Sequence, residues 1–169
     1  MPRVTVIGIG SPFGDDRAGW RLAENLAGSA EAGAAAIVVC RSPASELPGL
    51  LAAAEVAILV DAVASGGAPG TVYRLSGPHW PAWVNGPVSS HGLGLQAMLE
   101  LLKTLEDLPA ELLVYGIEAD SVAAESTMSP AVQRAVSRVT AEIERDIRYY
   151  CRGFGNKKAA RRPQNCCYC

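Results

Sequence analysis

The stretch that most narrows the folds open to this chain is Val56-Ala57-Ile58-Leu59-Val60, five apolar residues in a row that end at Asp61. A strand with one wet face alternates apolar and polar residues. A strand-length run with no polar interruption is covered on both faces, which is the position of a central strand in a mainly parallel sheet. It is far shorter than the roughly 20 residues needed to cross a bilayer.

The rest of the chain supplies matching partners. Arg3–Ile9 is β-branched and alternating, and predicts a first strand. The loop Gly8-Ile9-Gly10-Ser11-Pro12-Phe13-Gly14 follows. A helix is expected from Asp15 or Asp16 to about Gly28, with Ala18, Leu22, Leu26 and Ala27 on one face. Ala36–Cys40 predicts a second strand, Ser42-Pro43 breaks it, and a short helix is expected around Ser45–Ala54. After the third strand, Val56–Asp61, comes a Gly/Pro loop and then Thr71–Leu75, a fourth strand expected to be an antiparallel edge. The segment Pro78–Pro87 has three prolines and no clear period, so it is expected as a loop. Ser89-Ser90-His91 opens a helix with Leu95, Met98, Leu99, Leu102 and Leu105 on one face, and Leu112–Ile117 predicts a fifth strand. Ser129-Pro130 marks a helix start, Ser as cap and Pro at the first helical position, and Val132, Val136, Val139, Ile143 and Ile147 continue it. Alternating strands and helices imply an α/β fold, a mainly parallel sheet with helices on both faces. Residues 1–150 are expected as one domain, and residues 151–169 as a disordered basic tail containing cysteines.

Charge excludes some functions. All 17 acidic residues lie at or before Asp146, and ten of the 15 Lys and Arg at or before Arg148, so the body carries about −7. An acidic body argues against nucleic acid as the main partner, because phosphate contacts need a basic face. Nothing resembles a membrane span or a signal peptide, so a cytoplasmic protein without a membrane partner is expected. The five cysteines, Cys40, Cys151, Cys166, Cys167 and Cys169, are odd in number and not spaced as a disulfide framework.

In such sheets, ligands gather beyond the carboxyl ends of the strands. Three ligand-type residues fall at that edge: Asp16 past the loop leaving strand one, Asp61 at the end of strand three, and His91 at the start of the helix before strand five. Two carboxylates and an imidazole suit a borderline divalent cation such as nickel or zinc, with positions open for substrate or water. Each also has a plainer reading: Asp16 as a helix cap, Asp61 as a strand end at a turn, His91 as a cap or surface residue. The shared edge favours the site. His79, beside Trp80, reads as surface. Ser89 and Ser90 stand in no nucleophile elbow. Gly8-Ile9-Gly10 could open a dinucleotide fingerprint, but Phe13 stands where the third glycine belongs, Gly14 comes one residue late, and Pro12 interrupts the loop.

These motifs resemble those of the nickel–iron hydrogenase maturation endopeptidases, peptidase family M52. The resemblance is carried by Gly8–Gly19, by Val60-Asp61-Ala62 with Ala68-Pro69-Gly70-Thr71, by Ser90–Leu95, by Gly116-Ile117-Glu118, and by Ser129–Val132. It implies a three-layer αβα sandwich around a five-stranded sheet. It implies that Asp16, Asp61 and His91 contact nickel and carry the catalysis. The nickel would arrive with the substrate, a hydrogenase large-subunit precursor whose C-terminal extension is cut off; zinc or cadmium could take the same place. A monomer is expected. Ser11, Asp16, Ala119 and the segment Cys40-Arg41-Ser42-Pro43 depart from the family's usual residues. The competing readings are a nickel- or precursor-binding chaperone that does not cut, and a nucleotide-binding α/β enzyme.

Overall fold

The computed structural model describes residues 4–76, 92–120, 127–153 and 166–168. Five of its strands are β1 (Val4–Ile9), β2 (Ala36–Cys40), β3 (Val56–Val63), β4 (Val72–Ser76) and β5 (Glu111–Glu118). The helices are α1 (Ala18–Ala27), α2 (Pro43–Ala52), α3 (Gly92–Thr104) and α4 (Pro130–Gly153), and a 3-10 turn at Gly14–Arg17 leads into α1. The loop expected at 78–87 lies outside the described residues.

The strands lie in the order β2-β1-β3-β5-β4, followed by a short β6 (Cys166–Tyr168). β1, β2, β3 and β5 are parallel, and β4 runs antiparallel to β5. β3 is therefore central, as its uninterrupted apolar run requires, and all eight of its residues are buried. α4 continues to Gly153, and Cys166–Tyr168 pairs antiparallel with the outer edge of β4. The physical reason is that β4 would otherwise leave a row of unpaired backbone groups, which a passing extended segment can satisfy.

Side-chain alternation splits the core in two. Val4, Val6, Ile58, Val60, Leu113 and Tyr115 face a cluster with α1 and α4. Ile7, Ile9, Ala57, Leu59, Leu112 and Val114 face one with α2 and α3. This is the three-layer αβα sandwich. α4 is also tied down by a buried polar network. The Tyr115 hydroxyl donates to Asp146 Oδ2 at 2.7 Å, and Arg74 Nε donates to the Tyr115 hydroxyl at 2.8 Å. Arg74 Nη2 stands 3.4 Å from Asp146. Against the penalty of burial, the phenol and the carboxylate hold the guanidinium firmly charged.

The glycines near the sheet edge serve close packing. A Cβ on Gly8 would stand 2.1 Å from the Gly19 carbonyl oxygen. A Cβ on Gly19 would stand 2.2 Å from the Ile9 carbonyl oxygen and 2.6 Å from that of Val60. The first turn of α1 thus lies directly on the ends of β1 and β3. Gly19→Ala must push backbone away from backbone, at a cost of about 3 kcal/mol or more. Thermal denaturation should show a fall of at least about 6 °C. Gly28→Ala is the control, since its Cβ would meet nothing closer than 3.7 Å; an equal fall in both would show that α1 does not lie so close.

Candidate active site

The loop between β1 and α1 folds back on itself at the carboxyl edge. Gly10 has φ +154°, and a Cβ there would stand 2.0 Å from the Asp16 carbonyl oxygen. That same oxygen accepts a hydrogen bond from the Ser11 amide at 3.2 Å. The Gly-x-Gly pair is therefore used to bring Asp16 over the strand ends and to seat α1, which are packing tasks rather than a phosphate cradle.

The two neighbouring acids do different work. Asp15 is 1% exposed and fully engaged. Its Oδ1 accepts from the Ser129 amide at 2.6 Å, and its Oδ2 from the Asp120 amide at 2.8 Å and the Ser129 hydroxyl at 3.0 Å. It clamps the loop to the start of α4. Asp16, 6% exposed, lies inside the 3-10 turn rather than at a helix cap.

Asp61 sits within β3, not at its end, and pairs in register with Gly116. The strand alternation turns it toward the layer of α2 and α3. It is 1% exposed, and its Oδ1 has no hydrogen-bond partner among the described residues. Burial first, and the nearby Asp16 carboxylate second, push its pKa up to about 8, while a hydrogen bond with the Ala62 backbone works weakly in the other direction. A buried carboxyl kept beside a second carboxylate is a destabilising arrangement, and it favours a cation or a shared proton at that spot.

Sequence position thus brings Asp16 and Asp61 to one rim, and the structure places them close enough to interact. The third candidate, His91, lies outside the described residues, as do His79, Ser89 and Ser90. Among the described residues no group of three His, Cys, Asp or Glu side chains could hold a metal. The donor set among the described residues is the two carboxylates.

Two further features frame the rim. Glu118, at the end of β5, is buried. Its Oε1 accepts from the amides of Ser65, Gly66 and Gly67 at 2.8, 2.9 and 3.2 Å, and its Oε2 from the Ser65 hydroxyl at 2.5 Å. It fixes the loop that follows β3. The sequence flagged Glu118 only as part of a motif; its acceptor role needed the register of β3 and β5. On the other side, Trp20 Nε1 donates to the Cys40 carbonyl at 3.2 Å, and Arg41 lies over the Trp20 ring at 5.4 Å. The Cys40 thiol is pushed up to about 11, chiefly by burial, so it is not a nucleophile.

A family model described as hydrogenase maturation protease matches residues 22–146. A comparison with curated proteins found no match. Among solved structures, the chain is similar to the solution structure of an endopeptidase from Escherichia coli, at 24% identity and a TM-score of 0.76, covering 88% of this chain and 93% of the other. It is similar to the hydrogenase maturating endopeptidase HybD from Escherichia coli, at 24% identity and a TM-score of 0.71, with the same coverage of 88% and 93%. It is also similar to the NiFe hydrogenase maturation protease HybD from Thermococcus kodakarensis, at 26% identity and a TM-score of 0.70, covering 86% and 99%. The two Escherichia coli likenesses speak to the fold.

Two substitutions should move stability in opposite directions. Asp15→Ala leaves two backbone amides unsatisfied and should cost about 2 kcal/mol or more. Asp61→Asn should stabilise, and the gain should depend on pH. The folded protein holds the Asp61 proton up to about pH 8, while the unfolded chain releases it near the ordinary aspartate value of 3.8. Wild-type stability therefore falls as pH rises through that window. The Tm advantage of Asp61→Asn should be largest at pH 8 and above and shrink toward the acid end. An advantage that is constant with pH would contradict the raised pKa.

Proposed function

This chain belongs to the hydrogenase maturation protease family and is a peptidase, and we propose that it removes the C-terminal extension of a nickel-loaded hydrogenase large-subunit precursor. The observation that supports this reading is the buried carboxylate pair. Asp61, whose Oδ1 has no partner among the described residues and whose pKa is about 8, readily exchanges its proton for a cation, the proton passing to solvent, and Asp16 beside it favours the same visitor. A precursor that carries its own nickel brings that cation with it.

In this reading Asp16, Asp61 and His91 are the catalytic residues and contact the precursor's nickel, which is part of the substrate. The ion supplies Lewis-acid character, able to polarise a carbonyl or to lower the pKa of a water. The chain's own part is to hold Asp61 and Asp16 together in a site walled by β3, β5 and the 3-10 turn. Zinc or cadmium could stand in for nickel on the same oxygen and nitrogen donors. Reaction in the cytoplasm fits this substrate; among the described residues no helix is long and apolar enough to cross a membrane. We take the working unit to be a monomer with one precursor bound.

A second reading has its own observation. Two adjacent buried carboxyls, one of them with a raised pKa, are also the arrangement by which an aspartic-type peptidase shares one proton and activates water. There the precursor's nickel would serve recognition alone.

Intact-mass spectrometry of precursors incubated with the protein tests the proposal. Loss of a discrete C-terminal peptide is expected from the nickel-loaded precursor and not from the nickel-free one. Asp16→Ala, Asp61→Ala and His91→Ala should each abolish that loss while keeping a cooperative unfolding transition. Equal turnover of both precursors at saturating concentration, with a higher KM for the nickel-free one, would favour the aspartic-type reading. Binding of the loaded precursor with no cutting would leave a chaperone and overturn the proposal.

A further inference from the structure

Apart from Asp16 and Asp61, the surface carries a groove of about 570 Å³ between α1 and α4. It lies on the opposite layer of the sandwich from the one toward which Asp61 turns. Arg17 at the end of the 3-10 turn and Arg21 and Asn25 at successive turns of α1 line it, with Gln133 and Ser137 at successive turns of α4. Pro12 also lines it, so the groove runs up to the loop that carries Asp16.

The charge in this groove is opposite to that of the body. Arg17 Nη2 and Arg21 Nη1 converge on a single carboxylate, Glu24, at 3.0 and 3.1 Å. One anion serves two guanidiniums, and all three side chains are about half exposed. The pair is thus already shaped to hold a carboxylate, and an uncompensated positive charge remains on a molecule whose body carries about −7. The remaining polar lining groups, Asn25, Gln133 and Ser137, are neutral; Gln133 Nε2 donates to the Met128 carbonyl and Ser137 Oγ to that of Gln133, so their side-chain oxygens are what they offer to the amides of a peptide backbone. From Arg17 to Asn25 the wall is about 12 Å long, the length of three or four extended residues.

We propose that this groove is an exosite for an acidic surface segment of the hydrogenase large-subunit precursor. The identity of the partner rests on the function proposed above; the chemistry of the groove does not. A large protein substrate engaged at the Asp16 rim lies across the loop at 11–14 and reaches the groove on its far side. Glu24 acts as an internal occupant that the incoming carboxylate displaces from Arg21. Contacts this far from the scissile bond contribute to binding and leave turnover unchanged.

The test measures the dissociation constant of the nickel-loaded precursor directly, by biolayer interferometry, for the wild type, Arg21→Glu and Glu24→Gln. Arg21→Glu should weaken binding about fivefold or more, and Glu24→Gln, which removes the internal competitor, should tighten it about twofold. Both differences should shrink in about 0.5 M salt. The kcat of any processing should stay the same in both variants. A merely structural role for the Arg–Glu cluster would move both variants in the same direction, and that result, unchanged affinities in both, or no binding by the wild type would overturn the proposal. Binding without cleavage would sink the peptidase reading while the two affinity shifts still decide on the exosite.

Discussion

Asp61 lies within the most apolar of the described strands, with a second carboxylate beside it and, among the described residues, no hydrogen-bond partner for its Oδ1. Almost everything else at the carboxyl edge can be understood as what is needed to keep that arrangement in place. Left to itself, a buried acid of this kind would open the loops around it and draw in water. The surrounding chain prevents this through contacts that do not involve Asp61. Asp15 pins the 3-10 turn to the start of α4, Glu118 pins the loop after β3, and Gly8 and Gly19 let α1 lie directly on the strand ends. These devices keep Asp61 and Asp16 together at the carboxyl edge.

The stability that tolerates this local cost comes from the two apolar layers and from the Arg74–Tyr115–Asp146 network under α4. That network is buried and charged, yet its donors and acceptors are matched, with Tyr115 bridging the guanidinium and the carboxylate. The contrast with Asp61 is instructive. Both sets place carboxylates in the interior, but Asp146 has its cation within the fold, whereas Asp61 has a like charge for a neighbour.

Much of this was legible in the sequence because it depended on local pattern. The apolar run before Asp61 placed β3 at the centre, the β-branched runs placed β1, β2 and β5, and Ser129-Pro130 marked the start of α4. What was not legible depended on register and on contacts between distant segments. Asp15 and Asp16 look equivalent as a pair, and only the arrival of Ser129 and Asp120 separates the clamp from the site residue. Asp61 was read as the end of its strand, because pairing with β5 carries β3 two residues further than the apolar run suggests. The strand Cys166–Tyr168 had no pattern of its own, since three residues supply too little periodicity to signal a strand.

The protonation of Asp61 in the protein alone decides whether this edge can take up a cation, and carbon-detected NMR titration of its carboxyl group measures it directly. A midpoint near pH 8, falling into the ordinary carboxylate range when Asp16 and the surrounding burial are removed by unfolding, is the predicted result. A midpoint near 4 in the folded protein would mean that Asp61 is solvated or paired, and the cation-seeking site described here would lose its physical basis.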